Sequence, residues 1–217
     1  MAPSTPATRT VVKVCGITRL ADAQAALSAG ADWLGFVVYR ESPRSVDVGA
    51  AAEIIAAVPH AIGVLVMVAP EPDQALATAR RMGVRRLQLH RADPSAWPTG
   101  FPLPTAFAVQ VGEDGGLTGA MPPPGHLLLL DTADEIRPGG TGRSFPWQHA
   151  AALAAGRAVM LAGGLGPDNV AEALARVRPF GVDAASQLES APGLKDPERV
   201  RQFVAAVRAH DALRGAA

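Results

Sequence analysis

Short β-branched and leucine-rich runs alternate along the chain with Ala-rich segments of helical character. Val11 to Cys15 predicts a strand, and Arg19 to Ala29 a helix that Gly30 terminates. Trp33 to Val38 predicts the next strand, followed by a helix over Val48 to Val58 with Asp47 as its cap and Pro59 beyond its end. Ile62 to Val68 and Pro72 to Met82, closed by Gly83, repeat the unit. Arg85 to Leu89 is a fourth strand, with a weak helix near Asp93 to Trp97. Thr105 to Val111 is strand-like, whereas Gly112 to Gly125 is too rich in Gly and Pro to hold much helix. His126 to Leu130 is a strongly apolar sixth strand, and Pro146 to Ala155 is the helix after a long loop. Ala158 to Leu161, then Pro167 to Val177 with Pro in its first turn, Phe180 to Ala184, and Pro197 to Leu213 complete the series.

Eight βα units, with the helix after the fifth strand degraded, predict an α/β fold of the (β/α)8 TIM-barrel type. The alternative is a doubly wound sheet, which wants Gly-x-Gly-x-x-Gly after its first strand. Here the first strand ends in Cys15-Gly16-Ile17-Thr18. The barrel is expected over residues 11–217, preceded by a flexible extension from Met1 to Thr10, which is small, polar and Pro-containing. Right-handed crossovers then gather the loops after the strands' C-terminal ends on one face.

Composition narrows the function classes. The 217 residues are 48% hydrophobic, enough for one sizeable core. Twenty basic and twenty acidic residues cancel, which argues against a nucleic-acid or membrane partner held by bulk charge. The only lysines are Lys13 and Lys195; every other basic residue is an arginine. One cysteine cannot form an internal disulfide and fits a reducing compartment. No run reaches the roughly 18 apolar residues of a membrane span, and the start has no apolar signal segment. A cytoplasmic protein, monomeric or homodimeric, is expected.

In a barrel, polar residues at strand ends are the first candidates for chemistry. Alternation puts Lys13 and Cys15 on one face of the first strand, and a thiol can accept a proton once positive surroundings lower its pKa. A lone cysteine is otherwise a small buried hydrophobe. Asp131, directly after four leucines, must be caged by hydrogen bonds or stand in a cleft, and partial burial would raise its pKa as a general acid requires. Gly163-Gly164 before a helix, and Ser186-Gln187 after the last strand, occupy the loops where this fold usually holds phosphate. Arg44, in Glu41-Ser42-Pro43-Arg44, is suited to clamp a carboxylate at two points, and Arg40 and Arg143 are weaker candidates. His90 ends the fourth strand and is a candidate to face the site. No histidine pair has metal-ligand spacing, so neither a metal nor a cofactor is expected.

The segments Lys13-Val14-Cys15-Gly16-Ile17-Thr18, Asp22-Ala23, Gly30-Ala31-Asp32, Gly35-Phe36 and Ser42-Pro43-Arg44 resemble the opening of the phosphoribosylanthranilate isomerase family. Gln88-Leu89-His90, Leu129-Leu130-Asp131-Thr132, Gly139-Gly140-Thr141-Gly142, Ala162-Gly163-Gly164-Leu165 and Pro192-Gly193-Leu194-Lys195-Asp196 continue the likeness in order. The resemblance implies an Amadori rearrangement of a phosphorylated aminoaldose in tryptophan biosynthesis, without a cofactor. By the same likeness Asp131 is the general acid, Cys15 the general base, Arg44 the holder of the anthranilate carboxylate, and the turns around Gly164 and Ser186 the phosphate site. The chain departs from the family at Gln187, where a glycine is usual, at Arg143, where a lysine is common, and at Arg91, where a glycine is usual. The altered phosphate loop also leaves room for a related barrel acting on another phosphorylated ligand, or for a non-catalytic binder.

Overall fold

The computed structural model describes residues 9–112, 116–132 and 147–215. Eight parallel strands close into a ring. They are β1 (Val11–Cys15), β2 (Trp33–Val37), β3 (Ile62–Val68), β4 (Arg86–His90), β5 (Thr105–Val111), β7 (Leu127–Thr132), β8 (Val159–Leu161) and β9 (Gly181–Ala184). Each pairs with the next, and β9 returns to β1 with Lys13 beside Asp183. A two-residue strand, β6 (Leu117–Thr118), folds back antiparallel on β5, and it occupies the place of the missing fifth helix. The predicted barrel is the observed architecture, with the unit after β5 degraded as expected, but the weak helix expected near Asp93 to Trp97 after β4 is only a short 3-10 turn (Pro94–Ala96).

Alternation along the strands sorts side chains into two populations. Val12, Val14, Leu34, Phe36, Leu128 and Leu130 point outward into the main core, beneath the helices α1 (Leu20–Ala29), α2 (Val48–Ala57), α3 (Pro72–Met82), α4 (Trp147–Gly156), α5 (Val170–Val177) and α6 (Pro197–Gly215). Trp33, Val64, Leu129, Met160 and Ala162 form a second cluster inside the ring. Lys13, Cys15, Gln88, His90 and Asp131 share the parity of that inner face, as the strand period requires.

Local signals read from the sequence act as expected at several ends. Asp47 caps α2 by accepting from the N–H groups of Gly49 and Ala50. Gly30 and Gly83 close α1 and α3 in the left-handed conformation, with φ of 98° and 72°. The helix expected from Pro167 begins instead at Val170. Asn169 accepts from the N–H of Gly166 and donates to the Gly164 carbonyl, which ties residues 164–169 into a separate turn. After β9 come a short 3-10 turn (Ser186–Leu188) and a hairpin of β10 (Glu189–Ala191) and β11 (Leu194–Lys195), neither of which was predicted. Of the expected N-terminal extension, Arg9 and Thr10 are described. Thr10 donates from its N–H and hydroxyl to Asp211, and Arg9 pairs with Asp32. The expected loop at 138–143, with Arg143, lies outside the described residues.

Candidate active site

The site is built at the C-terminal ends of the strands, around the first loop. Gly16 and Ile17 both donate to the carbonyl of Gly35, turning the chain sharply after Cys15. Gly16 has φ of +78°, and a β-carbon there would lie 2.8 Å from the Arg44 Cδ, so glycine lets the arginine stem cross over the loop. Gly35 does the same for the neighbouring strand. A β-carbon on it would sit 2.8 Å from the Cys15 sulfur and 2.9 Å from the Lys13 Nζ. Both functional atoms therefore lie within 3 Å of one point beside β2.

Beneath Cys15 is a buried ion pair. The Lys13 ammonium donates to both carboxylate oxygens of Asp183 at 2.8 Å, and the residues are 1% and 6% exposed. Burial works against the ammonium, but the carboxylate beside it outweighs this and raises the Lys13 pKa. The Lys13 ammonium also lies beside the Cys15 thiol, both close to the position that a Gly35 β-carbon would take. Positive neighbours were expected to lower the thiol's pKa. Burial instead pushes it up, and Lys13 and Lys195 only partly oppose that shift.

The hairpin missed in the sequence supplies a second charged group. Arg44 donates through Nε and a terminal nitrogen to the two carboxylate oxygens of Glu189, each at 2.8 Å. Lys195 donates to the same carboxylate at 2.8 Å and to the Ala185 carbonyl at 3.1 Å. Burial pushes the Glu189 carboxyl up, yet the hydrogen bonds from Arg44 and Lys195 hold it below the usual range. The hairpin is clasped to the first loop. Thr18 donates to the Gly193 carbonyl at 2.6 Å, and the buried Asp22 accepts from the Lys195 N–H. The family-like segments thus converge in space because they hold one another.

Asp131 lies within β7, opposite Gln110 of β5, rather than just past the strand. It is half-buried, and its parity with Leu129 directs it into the mouth, separated from β1 by β8 and β9. His90 lies on β4 with its Nε2 3.0 Å from the Gln88 amide, and burial, then Lys13 and Arg91, lowers its pKa to about 4. Gly163 and Gly164, with φ of 85° and 62°, form the turn before α5, and Ser186 and Gln187 form the turn after β9. The two turns touch. A β-carbon on Gly166 would meet the Gln187 Cβ at 2.8 Å. Gln187 is not among the described non-glycine residues with positive φ, which are Ala69, Arg91 and Arg178. Its backbone therefore carries no strain from the lost glycine. Arg40 is exposed.

A cavity of about 550 Å³ opens at the opposite end of the barrel, where Arg86 stacks on Trp33 with 4.3 Å between guanidinium carbon and ring centroid. Cys15, Asp131 and Arg44 do not line it, whereas Lys13 and Gln88, from the barrel interior, do. Among the described residues no group of three His, Cys, Asp or Glu side chains could hold a metal ion. No helix among them is long and apolar enough to cross a membrane.

Fold and site together define a (β/α)8 barrel enzyme with a thiol on β1 and a carboxyl on β7, both on the inner face of the ring. The family model for N-(5'-phosphoribosyl)anthranilate isomerase matches residues 12–206, and the chain belongs to that family. A Myxococcus xanthus protein of that name is 44% identical over 203 residues, covering 91% of this chain and 95% of the relative. One from Geobacter sp. (strain M21) is 42% identical over 197 residues, covering 90% and 97%. The solved phosphoribosylanthranilate isomerase of Thermotoga maritima superposes with a TM-score of 0.78 at 30% identity, over 92% of this chain and 99% of that one. Another solved isomerase, at 29% identity and a TM-score of 0.76 over the same shares, carries reduced 1-(o-carboxyphenylamino)-1-deoxyribulose 5-phosphate. The Thermotoga maritima protein is described as dimeric, with monomers generated from it.

Proposed function

We propose that the chain converts N-(5'-phosphoribosyl)anthranilate to the carboxyphenylamino-deoxyribulose phosphate, an Amadori rearrangement, with Asp131 as general acid and Cys15 as general base. The observation that carries the assignment is the pair itself: a carboxyl on β7 and a thiol on β1, both on the inner face at the C-terminal ends of their strands. Asp131 protonates the ribose ring oxygen, the ring opens, and the anthranilate nitrogen becomes a protonated Schiff base. Cys15, as thiolate, takes the proton from the second sugar carbon. The C–H electron pair moves into the new C1–C2 double bond, and the enolamine tautomerises to the ketone. Each positioned acid or base contributes on the order of 10²–10⁴-fold in rate.

Arg44 holds the anthranilate carboxylate with the edge of its guanidinium that Glu189 does not occupy. The phosphate rests on the turns at Gly163-Gly164 and Ser186-Gln187, which follow β8 and β9 and pack against each other through Gly166 and Gln187. His90, neutral above about pH 5 because its pKa lies near 4, lines the ring side of the substrate. The reaction transfers no electrons from outside, so no cofactor is required. Our reading is a cytoplasmic enzyme, monomeric or homodimeric, acting on a small phosphorylated sugar.

The test is a fluorescence assay with phosphoribosylanthranilate, following loss of the anthranilate signal, on the native protein, Cys15→Ala and Asp131→Asn. Turnover in the native protein that vanishes in both variants is expected. Full turnover in either variant would remove that residue from the mechanism, and none in the native protein would point to a different phosphorylated ligand.

A further inference from the structure

A base that is a buried thiol needs a counter-charge when it ionises. Burial in a poorly solvated mouth disfavours the thiolate by the same physics that disfavours any uncompensated buried charge. The charged groups facing Cys15 come from every element around it. β1 contributes Lys13, β9 contributes Asp183, and the β10–β11 hairpin contributes Lys195, whose Nζ donates to the carbonyl of Ala185, the residue after the partner of Val14 on β9. β2 contributes Gly35, which has no side chain. Behind these stand Gln88 and His90 of β4, near Lys13, and Arg44 and Glu189, near Lys195. Three cations, Lys13, Lys195 and Arg44, thus meet two anions, Asp183 and Glu189. The balance around the sulfur is positive by one.

That surplus falls on ammonium groups placed by structure rather than by chance. Both lysines of the chain are here, 1% and 2% exposed, although every other basic residue is an arginine. A guanidinium would not fit where Lys13 lies: its Nζ shares a 3 Å neighbourhood with the sulfur, and only the absent side chain of Gly35 leaves it room. The lysine has a second, structural partner in Asp183, which fixes its Nζ and keeps it charged. Lys195 is fixed in the same way by Glu189 and the Ala185 carbonyl.

We propose that Lys13 and Lys195 are positioning residues for the isomerisation, which flank the Cys15 sulfur with two fixed ammonium groups so that the sugar proton is taken by a thiolate. Asp183 and Glu189 hold the two ammoniums in place. The inference rests on Cys15 being the base. The proton passes from the sugar carbon to sulfur, giving a neutral thiol, and the two cations lose their anionic partner at that moment. The site then favours the return of the proton from sulfur to the first sugar carbon, while the hydroxyl on the second carbon gives its proton to the Asp131 carboxylate and becomes the ketone, which restores both the thiolate and the acid with no other reagent.

Cys15 is the chain's one cysteine, so its ionisation can be read directly, by thiolate absorbance near 240 nm and by the pH dependence of alkylation with iodoacetamide. The variants are Lys195→Met, Lys195→Arg, and the double change Lys13→Met with Asp183→Asn, which leaves no uncompensated carboxylate. In Lys195→Met and in the double variant the midpoint of thiolate formation should move up by about one pH unit or more, a tenfold loss of thiolate below the midpoint. The rising limb of kcat/KM should move with it. Lys195→Arg should restore the midpoint. If the Lys13 double variant fails to fold, the Lys195 pair alone decides. A midpoint unmoved by Lys195→Met in a folded protein would overturn the proposal even if Cys15→Ala is inactive. Full turnover in Cys15→Ala would instead sink the underlying assignment of the base, whatever the midpoints do.

Discussion

Arg44 and Glu189 form a two-point pair, with both hydrogen bonds at 2.8 Å and the glutamate fixed in turn by Lys195. One edge of the guanidinium is thereby spent on orientation, and the other is left for the substrate carboxylate in our proposal. Removing the negative charge should cost binding more than chemistry. Glu189→Gln is expected to raise KM on the order of tenfold, with a smaller change in kcat, because a freed arginine loses its preorganised fork. Steady-state kinetics on the variant check this. A fall in kcat at constant KM would show that Glu189 acts mainly through Lys195 on the proton transfers.

The same pair sets an acid limb of stability. The folded-state pKa of Glu189 is held below its ordinary value of 4.5, so its contribution is complete above that value and is lost as pH falls through the lower folded value. Urea unfolding of the native protein should therefore weaken below about pH 4.5 more steeply than that of Glu189→Gln. Parallel slopes would show that the pair contributes nothing to stability.

Gly35 is the residue that gives Cys15 and Lys13 their room. A β-carbon would lie 2.8 Å from the sulfur and 2.9 Å from the Nζ, closer than side chains tolerate, and 3.1 Å from the Cys15 Cα, a tight contact. The backbone Cα cannot yield, so the sulfur and the ammonium must move. Gly35→Ala should cost about 1–3 kcal/mol, lowering the midpoint of thermal unfolding by roughly 2–4 °C per kcal/mol. Activity should fall further than stability accounts for. A fully active Gly35→Ala would show that the mouth has slack beside β2.

Much of this was legible in the sequence, and the rest was hidden for definite reasons. The strands were readable because each is a compact apolar run, and β3, α3 and β5 keep the boundaries that pattern predicts. Cys15, Asp131 and Arg44 were readable because they stand at or near strand ends. The hairpin at 189–195 was not, because its strands are short and its stability comes from contacts with Thr18 and Asp22 far away in sequence. Glu189 was therefore passed over as a loop residue. Lys195 left one clue: it is half of the chain's lysine content, in a protein that otherwise uses arginine. The direction of the Cys15 shift was misread because a sequence shows charged neighbours but not burial.

His90 carries a pH signature of its own. Burial, with Lys13 and Arg91 nearby, lowers its pKa from 6.5 to about 4. A histidine lowered in the folded state binds fewer protons than the unfolded chain between those values, so stability falls as pH drops from 6.5 toward 4. The loss is on the order of 2–3 kcal/mol at most. His90→Gln should flatten the profile of unfolding free energy over that window. An unchanged slope would mean that the ring is more solvated than its packing suggests.

Arg178 ends α5 in the left-handed conformation, with φ of 52° and ψ of 51°, and its N–H closes on the Leu174 carbonyl. An L side chain in that conformation costs roughly 1–2 kcal/mol, part of which glycine returns through the entropy of the unfolded chain. Arg178→Gly should stabilise the protein by about 0.5–1 kcal/mol, visible as a small rise in thermal midpoint. A lower midpoint would mean that the Arg178 side chain contributes more than its backbone costs.

The loop after β9 is where the chain departs from its family, and the packing shows which change matters. Gln187 has no positive φ, so Gln187→Gly relieves no backbone strain and should leave KM unchanged; a lowered KM would show that the Gln side chain crowds the phosphate. Its Cβ is instead a spacer against Gly166, where an added β-carbon would approach to 2.8 Å. Gly166 needs no unusual backbone conformation, so Gly166→Ala acts through that contact alone. It should push the Ser186–Leu188 turn away from the Gly163-Gly164 turn and raise KM several-fold, while kcat changes little. Combined with Gln187→Gly the clash disappears, and KM should return toward the native value, a coupling that a double-mutant cycle measures directly. Strict additivity of the two changes would mean that the turns do not bind phosphate as one unit.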